Sequence, residues 1–269
     1  MPIITISRGS YSKGKEVAEK VAHKLGYECV SRDIILEASE EFHVPEIKLI
    51  RAIHDAPGIL NRLSHEKDKY IAYIQTALLK HFRKDNIVYH GLAGHFFVKG
   101  ISHVLKVRII ADIEERVKLE MEREKIGWAE ALQLLKKDDE ERRKWSQHLY
   151  GLDPWDSSLY DMVLHIHTIT VDDAVDVICH TAGVKDFQAT PESKKAMDDL
   201  VLATEVRSAV IDLNHGIKIS ARDGIVFVKS EATPLQQSPL IHDIEKIVKE
   251  IPGVKDMRID VEPIFPLSE

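Results

Sequence analysis

The stretch IITISRGSYSKGKEVAEKVAHKLG, residues 3–26, consists of an apolar run, a turn rich in glycine and lysine, and a charged repeat, in which charged and apolar residues are interspersed. The apolar run is typical of a buried strand. In the charged repeat, apolar residues recur at intervals of three and four, which predicts an amphipathic helix. Gly26 then provides a typical helix stop. A strand, a tight turn and a helix in this order indicate the first unit of an α/β fold.

The turn itself has a recognisable pattern, because residues 9–15 fit the phosphate-loop signature G-x-x-x-x-G-K between a strand and a helix. In such loops, successive backbone N–H groups surround a phosphate, and the following helix directs its positive end at the anion. A basic turn without a ligand is the alternative interpretation. The predicted ATP phosphate-binding residues are Gly9, Ser10, Tyr11, Ser12, Lys13, Gly14, Lys15 and Glu16.

Glu16 departs from the signature, which continues with a Ser or Thr whose hydroxyl binds Mg²⁺. The carboxylate has two candidate roles: it coordinates the metal, directly or through water, or it pairs with Lys20 four residues along the helix. We favour the ion pair, because Glu16, Glu19 and Lys20 lie on one charged helix face.

Strand-like and helix-like segments alternate along the rest of residues 1–184. This alternation predicts crossover units and a mostly parallel sheet with helices on both faces. The predicted strands lie at 2–7, 103–111 and 161–169, and two more strands run into turns within 27–33 and 86–94. The predicted helical segments are 14–25, 33–84 with breaks near Pro45 and at 55–58, 113–150 and 170–182.

The pattern changes after residue 184. Residues 185–197 are polar and lack a strong apolar period, so we interpret them as a linker. Residues 198–265 then predict a small α+β domain with the order helix, strand, strand, helix, strand. Asp223-Gly224 between two alternating runs predicts a β-hairpin.

Composition excludes several classes of protein. The net charge of −7 over 269 residues argues against nucleic-acid binding, which requires clustered cations. Two cysteines cannot form a disulfide framework. No stretch approaches the ~18 apolar residues of a membrane span, and no signal-peptide pattern is visible at the first residues. We therefore expect no membrane insertion and a cytoplasmic location.

Several separated motifs show that residues 3 to about 180 resemble the cytidylate-kinase-like family of P-loop nucleoside monophosphate kinases. Besides the opening stretch, the motifs are SRDII (31–35), VRIIADIEERVKLEMER (107–123), KKDDEERRKW (136–145) and LYGLDPWDSSLYDMVLHIHTITVDDAVDVI (149–178). The resemblance implies a parallel sheet, an acceptor-binding helical region and a mobile helical lid. It also implies ATP as the phosphoryl donor, Mg²⁺ as the cofactor and a nucleoside monophosphate, with cytidylate as one candidate, as the acceptor.

The resemblance also assigns roles to charged residues. Arg116 and Arg123 are two helical turns apart and so share one face, which a solvated charged helix would also show. By the resemblance, Arg116, Arg123 and Arg142 are donor-phosphate and lid arginines that act with Lys15 in catalysis.

The acceptor side combines matches with one departure. By the resemblance, Arg32 and Asp33 lie beside the acceptor monophosphate, and His90 and Gly91 are nearby candidates. Related kinases carry Gly-Arg after the strand at 86–90, whereas this chain has Leu92 in the arginine position. Leu92, together with the bulky Tyr11 in the loop, supports an alternative function: a nucleotide-binding sensor or regulatory protein without kinase activity.

The C-terminal segment resembles the BON domain. The resemblance rests on residues 198–212, 217–232 and 244–263, including the Asp223-Gly224 hairpin. Residues 185–269 carry 11 Lys and Arg against 15 Asp and Glu, a poor match to anionic lipid surfaces. A regulatory domain that contacts a protein partner or small ligand, and an appendage that helps a homo-oligomer form, both agree with this pattern.

Overall fold

The computed structural model describes residues 2–10, 12–31, 33–54, 65–91 and 94–264. Three residues discussed above, Tyr11, Arg32 and Leu92, lie outside the described residues. Within the described part of the chain, no helix combines the length and apolarity needed to cross a bilayer.

Five parallel strands form the larger sheet, in the order β2-β3-β1-β4-β5. The central strand β1 is almost wholly buried, and this burial explains its continuous run of apolar residues. The predicted parallel α/β sheet is therefore confirmed. The strands are β1 (Ile3–Arg8), β2 (Glu28–Val30), β3 (Ile87–His90), β4 (Val104–Ala111) and β5 (Met162–Ile166).

Helices cover both faces of this sheet, and the two faces bury separate apolar clusters. Ile4 and Ile6 of β1 pack with α1 (Gly14–Leu25) and α8 (Val171–Ala182) on one face. Ile3 packs on the other face, where the helices contribute to a second cluster. The helices of that second face are α2 (Asp33–Phe42), α3 (Glu46–His54), α4 (His65–Phe82) and α5 (Gly94–Phe97).

Two further helices, α6 (Ile113–Glu124) and α7 (Trp128–Tyr150), form a hairpin beside the carboxyl edge of the sheet. Among its described side chains, the separate buried core consists of Val117, Ala131 and Leu135. The far end of α7 returns to the main core, where the Trp145 indole N–H donates to the Ala52 carbonyl at 3.1 Å. This hairpin corresponds to the predicted lid.

A second, three-stranded sheet follows in the order β6-β7-β8, with β6 and β7 antiparallel and β7 and β8 parallel. Asp223 and Gly224 have φ values of 59° and 82°, the left-handed pair that a two-residue hairpin requires, so the predicted hairpin is present. The elements are α9 (Pro191–Val210), β6 (Lys218–Arg222), β7 (Ile225–Ala232), α10 (Pro234–Val248) and β8 (Asp256–Pro263).

Helix α9 begins inside the segment that the sequence predicts as a linker, 185–197. Thr190 caps it in a reciprocal capping box with Ser193, and Pro191 occupies the first turn. Met197 and Val201 are buried in the same cluster as α4, whereas later α9 residues belong to the core of the second sheet. The linker prediction is wrong from Pro191 onward, because a helix shared by two cores shows no single apolar period.

Candidate functional site

Strand β1 is the central strand of the larger sheet, with β3 on one side and β4 on the other, so its carboxyl end is a topological switch point. Ligands of open parallel sheets bind in the crevice at such a switch point. The predicted phosphate loop lies there, between β1 and α1. A Cβ on Gly14 would lie 2.6 Å from the Arg8 Cβ, so only glycine allows this close packing of the loop on β1.

The described loop residues are held by local contacts. The buried Ser12 hydroxyl donates to the Gly9 carbonyl at 3.1 Å. Lys13 adopts a left-handed φ of 62° as the N-cap of α1, and its carbonyl accepts the first helical bond, from Val17. The N–H groups of the first turn of α1 lack intrahelical partners and face the loop end of the helix.

The charged residues after the loop point along the surface of α1. Lys15 Nζ lies 3.6 Å from Glu19 Oε1, and the Lys15 side chain is 65% exposed. Glu16 Oε1 lies 3.3 Å from Lys20 Nζ, which is the ion pair predicted from the sequence. Hydrogen bonds to Asp172 and to Glu16 raise the pKa of Lys20. Neither Lys15 nor Glu16 borders the two cavities described next.

Arg116 of α6 is buried across the loop. Its Nε donates to the Ser10 carbonyl at 2.7 Å, and its Nη2 lies 2.8 Å and 3.0 Å from the two oxygens of Asp139 on α7. The Ser10 hydroxyl makes a longer contact with Asp138, 3.4 Å. Both lid helices therefore contact the phosphate loop directly.

A cavity of about 340 Å³ adjoins the loop on the β4 and β5 side. We call it the loop cavity. It combines two arginines with apolar side chains, a composition that suits a ligand with an anionic part and an apolar part. The residues lining the loop cavity are Gly9, Ser12, Arg108, Ile110, Ala111, Arg116, Asp139, Trp155, Ser157 and Val163.

A second cavity, of about 40 Å³, lies next to it towards β3 and α5. We call it the arginine pocket, because Arg8, Arg108 and Arg142 reach it from β1, β4 and α7. Asp139, the one carboxylate among its lining residues, is already bound to Arg116. The lining of the pocket therefore contains three guanidinium groups and one carboxylate. Its lining residues are Ser7, Arg8, Gly9, Gly91, His95, Phe96, Arg108, Asp139, Arg142, Ser146, Pro154 and Trp155.

Two of these arginines were missed by sequence reasoning. Arg8 directly precedes the loop, and Arg108 interrupts the apolar run of β4. The register of the sheet brings them together, because Arg108 is the β4 partner of Ser7 on β1. The sequence shows a basic residue in or beside each of two buried strands. Only the order of the strands in the sheet shows that the two residues lie close together.

Two histidines lie under the site. Burial and the nearby Arg8 lower the pKa of His90 to about 4, and burial and Arg108 lower the pKa of His95 to about 3. His95 Nε2 lies 3.2 Å from the Tyr160 hydroxyl, which donates to the Pro154 carbonyl. Both imidazoles are therefore neutral near pH 7. His95 lines the arginine pocket and His90 does not.

The remaining predicted residues are distributed unevenly. Gly91 and Arg142 line the arginine pocket, and Asp33 is exposed at the start of α2. Arg123 lies on the surface of α6, 3.3 Å from Glu120 and 2.7 Å from Glu124. The structure thus brings Arg116 and Arg142, but not Arg123, to the phosphate loop.

Comparisons with known proteins agree with this architecture. The model of the cytidylate kinase-like family matches residues 3–168, more than half of the chain. A cytidylate kinase of Sulfolobus acidocaldarius is 25% identical over 188 residues, which cover 69% of this chain and 97% of that protein. A crystal structure of an uncharacterised protein from Eubacterium ventriosum superimposes with a TM-score of 0.50 at 22% identity, covering 67% of this chain and 97% of the other.

The structural likeness supports the fold, and the family model spans the phosphate loop, both lid helices and the five strands of the larger sheet. On this match, the chain belongs to the cytidylate kinase-like family.

Proposed function

We propose that this protein is a nucleoside monophosphate kinase that transfers the γ-phosphoryl group of ATP to an acceptor nucleotide. The observation that carries the proposal is the arrangement of two adjoining cavities at the end of β1. The loop cavity contains the phosphate loop, and the arginine pocket beside it has an excess of guanidinium groups. Phosphoryl transfer needs a donor site and an acceptor site that meet in this way.

Each cation has a role in this proposal. The loop amides and the start of α1 hold the donor phosphates. Arg116 and Arg142, from the two lid helices, stabilise the negative charge that spreads over the transferred group. The acceptor phosphate is itself the nucleophile, so no protein base is required. Lys15 binds the donor phosphates once its side chain separates from Glu19, because their surface ion pair is weak.

Arg8 and Arg108 support an acceptor site despite the apolar Leu92. A planar guanidinium binds a phosphate through two parallel hydrogen bonds, which no leucine provides. Both arginines line the pocket, together with Gly91 and His95. We infer that they bind the acceptor phosphate, with His90 as structural support. The family resemblance implies that Arg32 and Asp33 also act on the acceptor monophosphate.

Mg²⁺ fits the site as an ion carried in by phosphates. In the described part of the chain, no three His, Cys, Asp or Glu side chains are placed to hold a metal, and Mg²⁺ in kinases uses substrate phosphates with one or two carboxylates. Asp139, which lines both cavities, is the better candidate ligand than the surface-paired Glu16. When bound, the ion neutralises charge on the donor phosphates.

A nucleotide sensor without kinase activity is the second candidate. It is favoured by the internal partners of the catalytic cations: Arg116 is bound by Ser10 and Asp139, and Lys15 is paired with Glu19. In a sensor these contacts would break on nucleotide binding and report it through the lid.

For the C-terminal part, we propose a BON-like domain over 198–265, with residues 1–184 as the kinase-like domain. The helix, strand, strand, helix, strand order and the mixed three-stranded sheet support this proposal. Its role would be contact with a protein partner or small ligand, or support of a homo-oligomer.

A coupled assay with ATP, Mg²⁺ and a panel of ribo- and deoxyribonucleoside monophosphates tests the kinase proposal. We expect turnover with at least one acceptor, and a loss of about 100-fold or more in kcat/KM for Arg142→Ala. Arg258→Ala, on β8 of the second sheet, is the matched control and should keep full activity.

Absence of turnover in a folded protein would remove the kinase proposal. A rise in melting temperature with ATP would then favour the sensor, because a ligand that binds only the native state stabilises it. Absence of any rise at millimolar ATP would exclude both.

A further inference from the structure

Trp155 is an exposed aromatic residue at the junction of the two cavities. It lies in the segment between α7 and β5, lines both the loop cavity and the arginine pocket, and is 51% exposed. An aromatic ring that lines a cavity together with a few charged groups is typical of a ligand-binding site.

The ring is held in place from one side. The Arg143 guanidinium carbon lies 4.4 Å from the centroid of the Trp155 ring. Arg143 in turn donates from Nε and Nη2 to one oxygen of Asp153, at 2.9 Å and 2.6 Å. The other Asp153 oxygen accepts the Trp155 backbone N–H at 3.0 Å. Arg143 and Asp153 thus fix both the backbone and the ring plane of Trp155.

Apolar side chains accompany Trp155 in the loop cavity. Val163 of β5 is 39% exposed, and Ile110 and Ala111 of β4 complete this apolar wall. Arg108 and Arg116 line the same cavity, next to the loop residues Gly9 and Ser12. One end of the cavity therefore suits phosphates, and the other suits a flat apolar group.

We propose that Trp155 is the stacking platform for the base of a nucleotide whose phosphates bind the cations of these cavities. The inference rests on the proposed function and adds to it a requirement for an aromatic base. Donor and acceptor nucleotides share this chemistry, and the experiment separates them. A phosphorylated sugar or a polyphosphate, which lacks a base, gains nothing from the platform.

The other two tryptophans supply internal controls. Trp128, at the start of α7, is 43% exposed and lines neither cavity. Trp145 is buried and bonded to Ala52. Since the chain has three tryptophans, a fluorescence change on nucleotide binding is assigned by single substitutions.

The experiment titrates the full chain with four ligands, following indole fluorescence and, in parallel, heat of binding. ATP and CMP represent the donor and the acceptor, and tripolyphosphate and ribose 5-phosphate are their baseless counterparts. We expect ATP, CMP or both to quench the fluorescence of the wild-type protein and of Trp128→Phe. Trp155→Phe should lose the quench while its dissociation constant stays within about threefold, because phenylalanine still stacks.

Trp155→Ala should raise the dissociation constant of the quenching nucleotide about tenfold or more, and leave that of the matching baseless ligand unchanged. If Trp155→Ala does not fold, Trp155→Leu takes its place. The ligand that shows the effect identifies whether the donor or the acceptor base uses the platform.

Three results would overturn the proposal: an unchanged nucleotide affinity in Trp155→Ala, an equal loss for nucleotide and baseless ligand, or no nucleotide binding by the wild-type protein. The first of these, in a protein with normal turnover, removes the platform and leaves the kinase. A base-specific loss in a protein without turnover leaves the platform and removes the kinase.

Discussion

The lid and helix α9 both lie against the larger sheet and its helices, but they are held by different kinds of contact. The lid contacts the phosphate loop through polar groups centred on Arg116, and among its described side chains the separate buried core consists of Val117, Ala131 and Leu135. Its contact with the main core is made by Trp145, near the end of α7. Helix α9 buries Met197 and Val201 in the main core, and ion pairs join it to α4 and to the residue after α4. Elements with few buried apolar contacts open at low cost, so we expect the part of the hairpin away from Trp145 to move and α9 to stay in place.

The charges between α4 and α9 are complementary. Lys69 of α4 lies 2.5 Å from Asp212, and Lys80 of α4 lies 3.2 Å from Glu205. Arg83, directly after α4, lies 2.7 Å from Asp198. In the middle of the interface, the buried hydroxyls of Thr76 and Ser208 are 2.9 Å apart. Apolar burial supplies the stability of this interface, and the polar pairs fix its register.

The largest expected effect is on the loop side. Gly14→Ala places a Cβ against Arg8, which would displace the loop backbone, and a misplacement of about 1 Å costs roughly 100-fold in rate. We expect nucleotide affinity and turnover to fall by at least that factor while the fold is kept, as measured by titration calorimetry and the coupled assay. Gly127→Ala, in the open turn between the lid helices, is the matched control; similar losses in both variants would contradict the prediction.

The next effect is on the α9 side and concerns stability. Met197 is 2% exposed in the core shared with α4, so Met197→Ala should lower the free energy of unfolding by about 2–5 kcal/mol. Denaturant unfolding, followed by circular dichroism and by Trp145 fluorescence, should shift both signals together. Leu235→Ala, at a residue 91% exposed, should shift neither. Two separate transitions, with Trp145 unaffected, would show that α9 does not belong to the main core.

A pH series sharpens the comparison on the loop side. The folded pKa of His95, about 3, is below the value of about 6.5 expected in the unfolded chain. The unfolded state therefore binds more protons below pH 6.5, and His95 should lower stability by about 1.4 kcal/mol per pH unit between pH 6 and 4. His90, whose pKa is lowered to about 4, adds a further fall in the same range. His95→Gln should flatten this part of the curve of unfolding free energy against pH. His180→Gln, on the surface of α8, should not, and an equal slope in His95→Gln would exclude this source.

The smallest effect is expected for the charges between α4 and α9. Arg83 and Asp198 are both more than half exposed, and exposed ion pairs contribute about 0.2–1 kcal/mol. Arg83→Ala should therefore change the unfolding free energy by less than 1 kcal/mol, and the change should shrink in high salt. A double-mutant cycle with Asp198→Ala measures the coupling. A coupling energy as large as the effect of Met197→Ala would mean that charge, rather than burial, holds α9.

The sequence predicted the larger sheet, the loop and the hairpin, because each depends on local patterns: an apolar run, a glycine spacing, and Asp223-Gly224. It did not predict where α9 begins. Met197 and Val206 of this helix are buried in different cores, so its apolar residues do not follow a single helical period. The arginine pocket was missed for another reason. Arg8 and Arg108 are a hundred residues apart and meet only because β1 and β4 are neighbours in the sheet.

Because one helix contributes to two apolar cores, the unfolding of one half of this chain is coupled to the unfolding of the other. A ligand that binds the native β6–β8 sheet should also raise the melting temperature of the half that carries the phosphate loop. In the same way, a nucleotide bound at the loop should raise the melting temperature of the C-terminal half. No rearrangement has to travel between them. A heat-stability screen of the intact chain would therefore detect ligands of the C-terminal half through the unfolding of the other.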